Sequence, residues 1–300
     1  MQALISNARN AFHKRLLDTI LTIDESGIPS NADKGNRLSV LLAQKIRDRI
    51  IGNVQRTECV TEQKANYAAT KKKAAGQSSG SIFEREVMTF LAATFPKLQH
   101  IRPGAWHILQ LGNQSQIKTS DFAQYEHLAY LTHLMKADAQ LAAVLGNGYM
   151  VAPDVIIYRD LCTDEELNAP EDIVDEASAK AAALRKTNGG KPILHASVSA
   201  KWTMRSDRAQ NSRTEALNLI RNRKGSLPHI VVVTGEPAPS RLASLAMGTG
   251  DIDCVYHFAL YELMEAVREA GADDAGILLK TLTDGKRLKD ISDLPLDLCI

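Results

Sequence analysis

Long apolar runs are missing from these 300 residues. Stretches such as the Ile-Val-Val-Val at 230–233 are far too short to cross a bilayer, and the opening MQALISNARNAFHKRLL mixes charged and amide residues where a secretory leader would carry an apolar block. A cytoplasmic protein is expected. Cysteine is scarce as well. Cys59, Cys162, Cys254 and Cys299 lie far apart, with no C-x-x-C pair and no Cys/His grouping at zinc spacing. That excludes zinc modules and disulfide scaffolds and leaves reduced, structural thiols. Aromatic residues make up only 5%, too few for the stacking platforms on which single-stranded nucleic acids lie. Charge of one sign is missing too: 36 basic residues face 35 acidic ones, so the chain is no generally basic nucleic-acid coat. No internal repeat is visible. Among the histidines, His195, His229 and His257 adjoin apolar segments at no triad spacing and read as core or surface residues.

What the chain does contain is one local concentration of positive charge. Between residues 201 and 224 stand Lys201, Arg205, Arg208, Arg213, Arg221, Arg223 and Lys224 against Asp207 and Glu215. A solvated helix face or an anion-binding face would both look like this. Residues 1–55 read as helical, with Leu38, Leu41, Leu42, Ile46 and Ile50 at three-to-four spacing, and DESGIPSNADKGN is a loop between two helices. The polar, basic stretch at 64–80, with Lys71, Lys72 and Lys73, reads as a connection or an arm that could touch a phosphate backbone. A helix is expected from Ser81, where Ser81 and Glu84 form a possible capping box. HIRPGAWHILQL is an extended segment, and residues 121–145 read as an amphipathic helix. MVAPDVIIYRD, ILHASVSAKWT and LPHIVVVTGEP are strands, residues 163–192 an insertion between two of them, and residues 253–270 a further helix.

Strands alternating with helices, two of them almost wholly apolar, imply an α/β fold: a central mixed sheet flanked by helices on both sides. One domain over 1–300 is expected, with a helical N-terminal portion and basic loop to residue 75 and a core from residue 76.

In the strand S-V-S-A-K-W-T, Ser197, Ser199, Lys201 and Thr203 share a face. Asp154 follows Pro153 directly before V-I-I-Y, Glu215 lies fourteen residues beyond Lys201 on the arginine-rich helix, and Glu84 is on the helix after the basic loop. Each has an ordinary explanation: turn chemistry for Pro-Asp, a capping box for Glu84, a helix ion pair for Glu215, solvation for Lys201. Together they are what phosphodiester hydrolysis needs. Carboxylates hold Mg²⁺ through hard oxygens, the ion lowers the pKa of bound water, and a lysine neutralises the phosphoryl transition state or orients the water.

Pro153-Asp154, Ser199-Ala200-Lys201 and Glu215 resemble the active-site arrangement of the PD-(D/E)xK nucleases. They match the variant in which the acid before the lysine is absent, here replaced by Ser199, and is supplied from the following helix. That variant belongs to type II restriction endonucleases that recognise a CCGG core. The stretches LQHIRPG, KWTMRSDRAQNSRTEALNLIRNRKGSLPHIVVVT and DGKRLKDISDLPLDL extend the likeness over nearly the whole chain, with departures around 52–75 and 160–190. The resemblance implies a Mg²⁺-dependent endonuclease acting on double-stranded DNA, with Glu84, Asp154, Lys201 and Glu215 as the catalytic and metal-binding set. Arg205, Asp207 and Arg208 match the family's major-groove readers. Arginine can pair with guanine O6 and N7, and aspartate accepts from cytosine N4, each such contact discriminating by roughly 1–3 kcal/mol. Gln77 and Arg241 match positions that contact the outer base pair, which would extend the site to GCCGGC. The resemblance also implies a homo-oligomer, two dimers binding two sites, and a companion DNA methyltransferase. A structure-specific nuclease of the same fold and a DNA-binding protein without catalysis are the alternatives.

Overall fold

The computed structural model describes residues 2–57, 76–111, 117–138, 140, 143–144, 153–248 and 250–300, and for Thr57, Gly76, Gln77, Ser78 and Ser206 the backbone only. Cys59 and Lys71 to Lys73 lie outside these residues. Six strands form one sheet in the order β1 (Trp106–Gln110), β2 (Val155–Arg159), β3 (Ile193–Lys201), β4 (His229–Thr234), β5 (Cys254–His257) and β6 (Leu288–Asp290). The β1–β2 and β2–β3 pairs are antiparallel, and β3 through β6 run parallel. Successive residues of a strand point to opposite faces. β3 from Leu194 to Ala200, β4 from Ile230 and all of β5 are buried without alternation, so helices cover both faces. The mixed sheet flanked by helices is therefore as expected.

The helices are α1 (Leu4–Thr19), α2 (Arg37–Thr57), α3 (Gly76–Thr94), α4 (His127–Ala137), α5 (Asp164–Leu167), α6 (Ser206–Asn222), α7 (Pro239–Ala246), α8 (Leu260–Glu269), α9 (Asp273–Asp284) and α10 (Leu294–Asp297). Leu42, Ile46, Ile50 and Val54 bury one stripe of α2, but Leu41 is exposed, one step off that stripe. Among the described residues no helix is long and apolar enough to cross a membrane. α1 is clamped to the far edge of the sheet by Arg9. Its guanidinium donates to both oxygens of the fully buried Asp290 (2.8 and 2.8 Å) and to both oxygens of Glu262 on α8 (2.9 and 2.6 Å).

Three local expectations are corrected. The third helix begins at Gly76, five residues before Ser81, and Glu84 accepts from Gln110 instead of closing a capping box. The low helix propensity of G-Q-S-S-G is overridden because Phe83, Val87, Phe90 and Leu91 dock the helix into the core. Residues 253–270 are not one helix: Cys-Val-Tyr-His is β5, and α8 starts only at Leu260. A short, wholly buried parallel strand has no alternation by which periodicity could separate it from a helix. Within 121–145 the α-helix His127–Ala137 is preceded by two 3₁₀ turns and broken at Asp138, and residues 140, 143 and 144 are helical again. There Gln124 pairs with both backbone groups of Leu194, at 2.7 and 3.0 Å, acting as an extra strand residue for β3.

The insertion between β2 and β3 carries only α5 and a 3₁₀ turn, and is tied by Arg185 donating twice to Asp164, both at 2.7 Å. It leaves from Arg159 and returns at Ile193, the sheet edge opposite the one where β2 begins and β3 ends.

Candidate active site and reading cleft

The antiparallel register sets Val155 against Val198 and Gln110 against Val155, so the start of β2 and the ends of β1 and β3 meet at one sheet edge. Asp154, one residue before β2, reaches across to β3. Its Oδ2 accepts from Lys201 Nζ at 2.7 Å, from the Ala200 backbone N–H at 2.8 Å and from Ser199 Oγ at 3.4 Å. Both side chains of the Asp154–Lys201 pair are about one-sixth exposed (16% and 17%), dry enough for their charges to matter and open enough for a substrate to reach them.

Two further carboxylates feel this pair. Burial pushes the Glu84 carboxyl up, and the Asp154 charge adds to the rise, while its hydrogen bond from Gln110 Nε2 (3.0 Å) and the Lys201 charge pull it back. Burial likewise pushes Glu215 up, against the pull of Lys201 and with a push from Asp154. α6 is fixed so as to bring Glu215 there by a bond between Ser212 Oγ and Ser199 Oγ at 3.2 Å, one turn before Glu215. All four residues named from sequence thus influence one another at one place. Gln110 and Ser212, which hold two of them, were missed, since a strand-end amide and a helix serine carry no distinguishing pattern.

The donors are hard oxygens only, and burial, with a smaller push from the Asp154 charge, raises the Glu84 and Glu215 carboxyl pKa values, which is a setting that suits a hard divalent cation. Among the described residues no three such side chains are already gathered around one point. Asp154 directs Oδ2 to Lys201, and Oδ1 takes none of its three hydrogen bonds.

Beside this edge lies a cleft of about 850 Å³. Arg205, Asp207, Arg208 and Arg241 all line it, as the sequence grouping implied. Arg205 is the N-cap residue of α6 and Asp207 stands in its first turn, and both are exposed. Arg208 donates to Thr203 Oγ1 at 2.8 Å, which bends it back over the strand-to-helix turn. Arg213 is different from its basic neighbours: it donates to the carbonyls of Ser244, Leu245 and Met247 at the C-terminus of α7, so that charge serves packing. Gln77 lies in the first turn of α3, and its side chain is outside the described residues.

The opposite wall comes from the loop between α1 and α2, where Asp33 accepts from Arg241 Nη2 and Asn31 Nδ2 donates to the Gly235 carbonyl at 2.7 Å. Glu236 does not line the cleft; its side chain is fully buried behind Met204 and Arg241, which do. None of Asn31, Asp33 or Glu236 stood out in the sequence; an acid directly after a buried apolar strand is the only signal that pointed to Glu236. Gly235 is required sterically, because a Cβ there would lie 2.6–2.8 Å from the Trp202 ring and carbonyl. Gly235→Ala is expected to cost about 1–3 kcal/mol in a denaturation experiment, the usual range for overpacking a filled interior.

The model of the NgoMIV restriction enzyme family matches residues 12–300. The type II restriction enzyme NgoMIV of Neisseria gonorrhoeae is 48% identical over 301 residues, spanning the whole of both chains. Among solved structures, a Bse634I–cognate DNA complex is similar at TM-score 0.37 and 12% identity, covering 90% of this chain and 91% of that one. A PspGI–substrate DNA complex is similar at TM-score 0.29 and 14% identity, covering 98% and 90%. A full-length match at close to half identity decides membership: the chain belongs to the NgoMIV restriction enzyme family.

Proposed function

We propose that the protein is a type II restriction endonuclease that cuts both strands of duplex DNA at GCCGGC, with Mg²⁺ as cofactor, leaving 5′-phosphate ends. The observation that carries this is the Asp154–Lys201 pair flanked by the half-buried Glu84 and Glu215, whose electrostatics both respond to it, on the same sheet edge that opens into the arginine-lined cleft.

Asp154 and Glu215 would hold the ion, with Glu84 supporting it or a water. A bound Mg²⁺ supplies Lewis-acid charge to the phosphoryl oxygens and lowers the pKa of the attacking water. Lys201, already hydrogen-bonded to Asp154, is placed to donate to the phosphate as negative charge builds on it and to orient the water in line with the scissile bond. Gln110 keeps the Glu84 carboxylate aimed into the site. Arg205 and Arg208 would read guanine and Asp207 cytosine of the CCGG core, while Arg241, with Gln77, would read the outer pair. A palindromic site calls for a two-fold-symmetric reader, so the active unit is at least a dimer, and two such dimers binding two sites together complete the assembly. A methyltransferase of the same specificity would protect the host DNA without touching this chain.

Digestion of a supercoiled plasmid carrying two GCCGGC sites, with Mg²⁺ and with the product ends sequenced, tests the reading. Discrete fragments ending inside GCCGGC are expected. Cuts at every CCGG would remove the roles of Gln77 and Arg241, and tight binding without cleavage would leave a reader that does not cut.

A further inference from the structure

Three segments far apart in sequence converge on the end of β4. The Glu236 Oε2 accepts from the backbone N–H of Met204 at 2.9 Å, in the turn that leads into Arg205-Ser206-Asp207-Arg208, and Oε1 accepts from the N–H of Ala238 at 3.1 Å, at the start of α7. The same Oε2 lies 3.6 Å from Arg241 Nη1, which donates to the Met204 carbonyl at 3.3 Å. Gly235, one residue earlier, accepts from Asn31, and two residues beyond Asn31 the Asp33 carboxylate takes the other Arg241 nitrogen.

A fully buried carboxylate is costly, and its two oxygens are divided between two segments, one taking the Met204 N–H and the other the Ala238 N–H, so a neutral amide would turn its own NH2 toward one of these donors. The oxygen that takes the Met204 N–H also faces Arg241, whose guanidinium is thereby held against the same Met204 that anchors the turn carrying the other readers. We infer that Glu236 is a positioning residue for base recognition: it couples the Arg205–Arg208 turn to Arg241, so that the outer base pair is read from a seat that the inner readers share. The inference rests on the reading above, in which Arg241 faces the outer pair.

Steady-state cleavage of two duplexes, one carrying GCCGGC and one carrying ACCGGT, separates this from a structural role. In Glu236→Gln the preference for GCCGGC, taken as the ratio of kcat/KM values, is expected to fall by about tenfold, the scale of one lost bidentate contact. The loss should appear in KM for GCCGGC more than in kcat. Adding Glu236→Gln to Arg241→Ala should change the preference no further, because both act through one guanidinium. Equal losses of kcat/KM on both duplexes, or additive effects in the double variant, would overturn the coupling and leave Glu236 as a packing residue. A wild-type enzyme that cuts both duplexes alike would overturn the assignment of Arg241, and the coupling with it. If Glu236→Gln is unfolded by circular dichroism, Asn31→Ala, which loosens the same junction from the loop side, is read against the same outcomes.

Discussion

Lys201→Ala is expected to lower the single-turnover rate of GCCGGC cleavage by at least about a hundredfold to a thousandfold, the cost of removing one preorganised donor to developing charge. Binding of the same duplex should persist, because the base readers lie on the turn and helices beyond the strand. Removing the ammonium also strips the only cation that the described residues pair with Asp154, leaving its charge to repel Glu84 and Glu215 without relief. Lys201→Arg should rescue little: the guanidinium is a wider, planar group, and the ammonium it replaces sits 2.7 Å from Oδ2 in a space that is 17% exposed. A rate within about tenfold of wild type in Lys201→Ala would show that the lysine only balances charge.

Arg9→Ala should produce the largest loss of stability of any single charge removal in the chain, about 3–5 kcal/mol in chemical denaturation, because it leaves two carboxylates in the interior without their partner. Asp290 is fully buried and Glu262 is 5% exposed, so water cannot take over the missing bonds. The pH dependence gives an independent check. Burial by itself pushes Glu262 up, but the hydrogen bonds and charge of Arg9, with His13 nearby, overcome it and hold the carboxyl at about 2. A folded-state pKa below the unfolded value means that the pair stabilises fully above the ordinary glutamate range. That stability, about 3 kcal/mol, is lost as pH falls from about 4.3 toward 2. In Arg9→Ala burial becomes the largest remaining influence on Glu262, so the variant should instead gain relative stability on acidification across the ordinary carboxylate range. A variant whose stability runs parallel to wild type from pH 7 to pH 3 would show that Arg9 does not set the Glu262 charge.

Of the four residues proposed for catalysis, three stood out because each sits at a seam that local sequence marks: Asp154 after a proline at a strand start, Lys201 where a small-residue strand turns into a basic helix, Glu215 on that helix. The strands β2 and β4 were legible from their β-branched runs, and β3 from its alternation of small or apolar residues with polar ones. What local sequence could not carry was where distant segments land. Asn31 meets Gly235 and Asp33 meets Arg241 across some two hundred residues, and the loop that holds both had only turn composition to show. Arg213 counted with the basic cluster in sequence, yet its partners are the Asp251 carboxylate and three carbonyls at another helix's end, and nothing in its own neighbourhood announces them. The late start of α4 and the strand identity of β5 were hidden for a different reason: Gln124 mimics a strand backbone, and a four-residue buried strand has no period of its own.

The path of the chain through β2 and β3 has one more consequence. β2 starts beside the catalytic edge and runs away from it, and β3 returns, so the 160–192 excursion hangs from the far rim of the sheet, a strand length of roughly 17 Å from Asp154. Chemistry and novelty are thus kept at opposite rims of one sheet. Residues can be added, removed or rewritten on the far rim without disturbing the register that brings Asp154 to Lys201, which leaves this family a place to alter its outer surface while the cutting edge stays as it is.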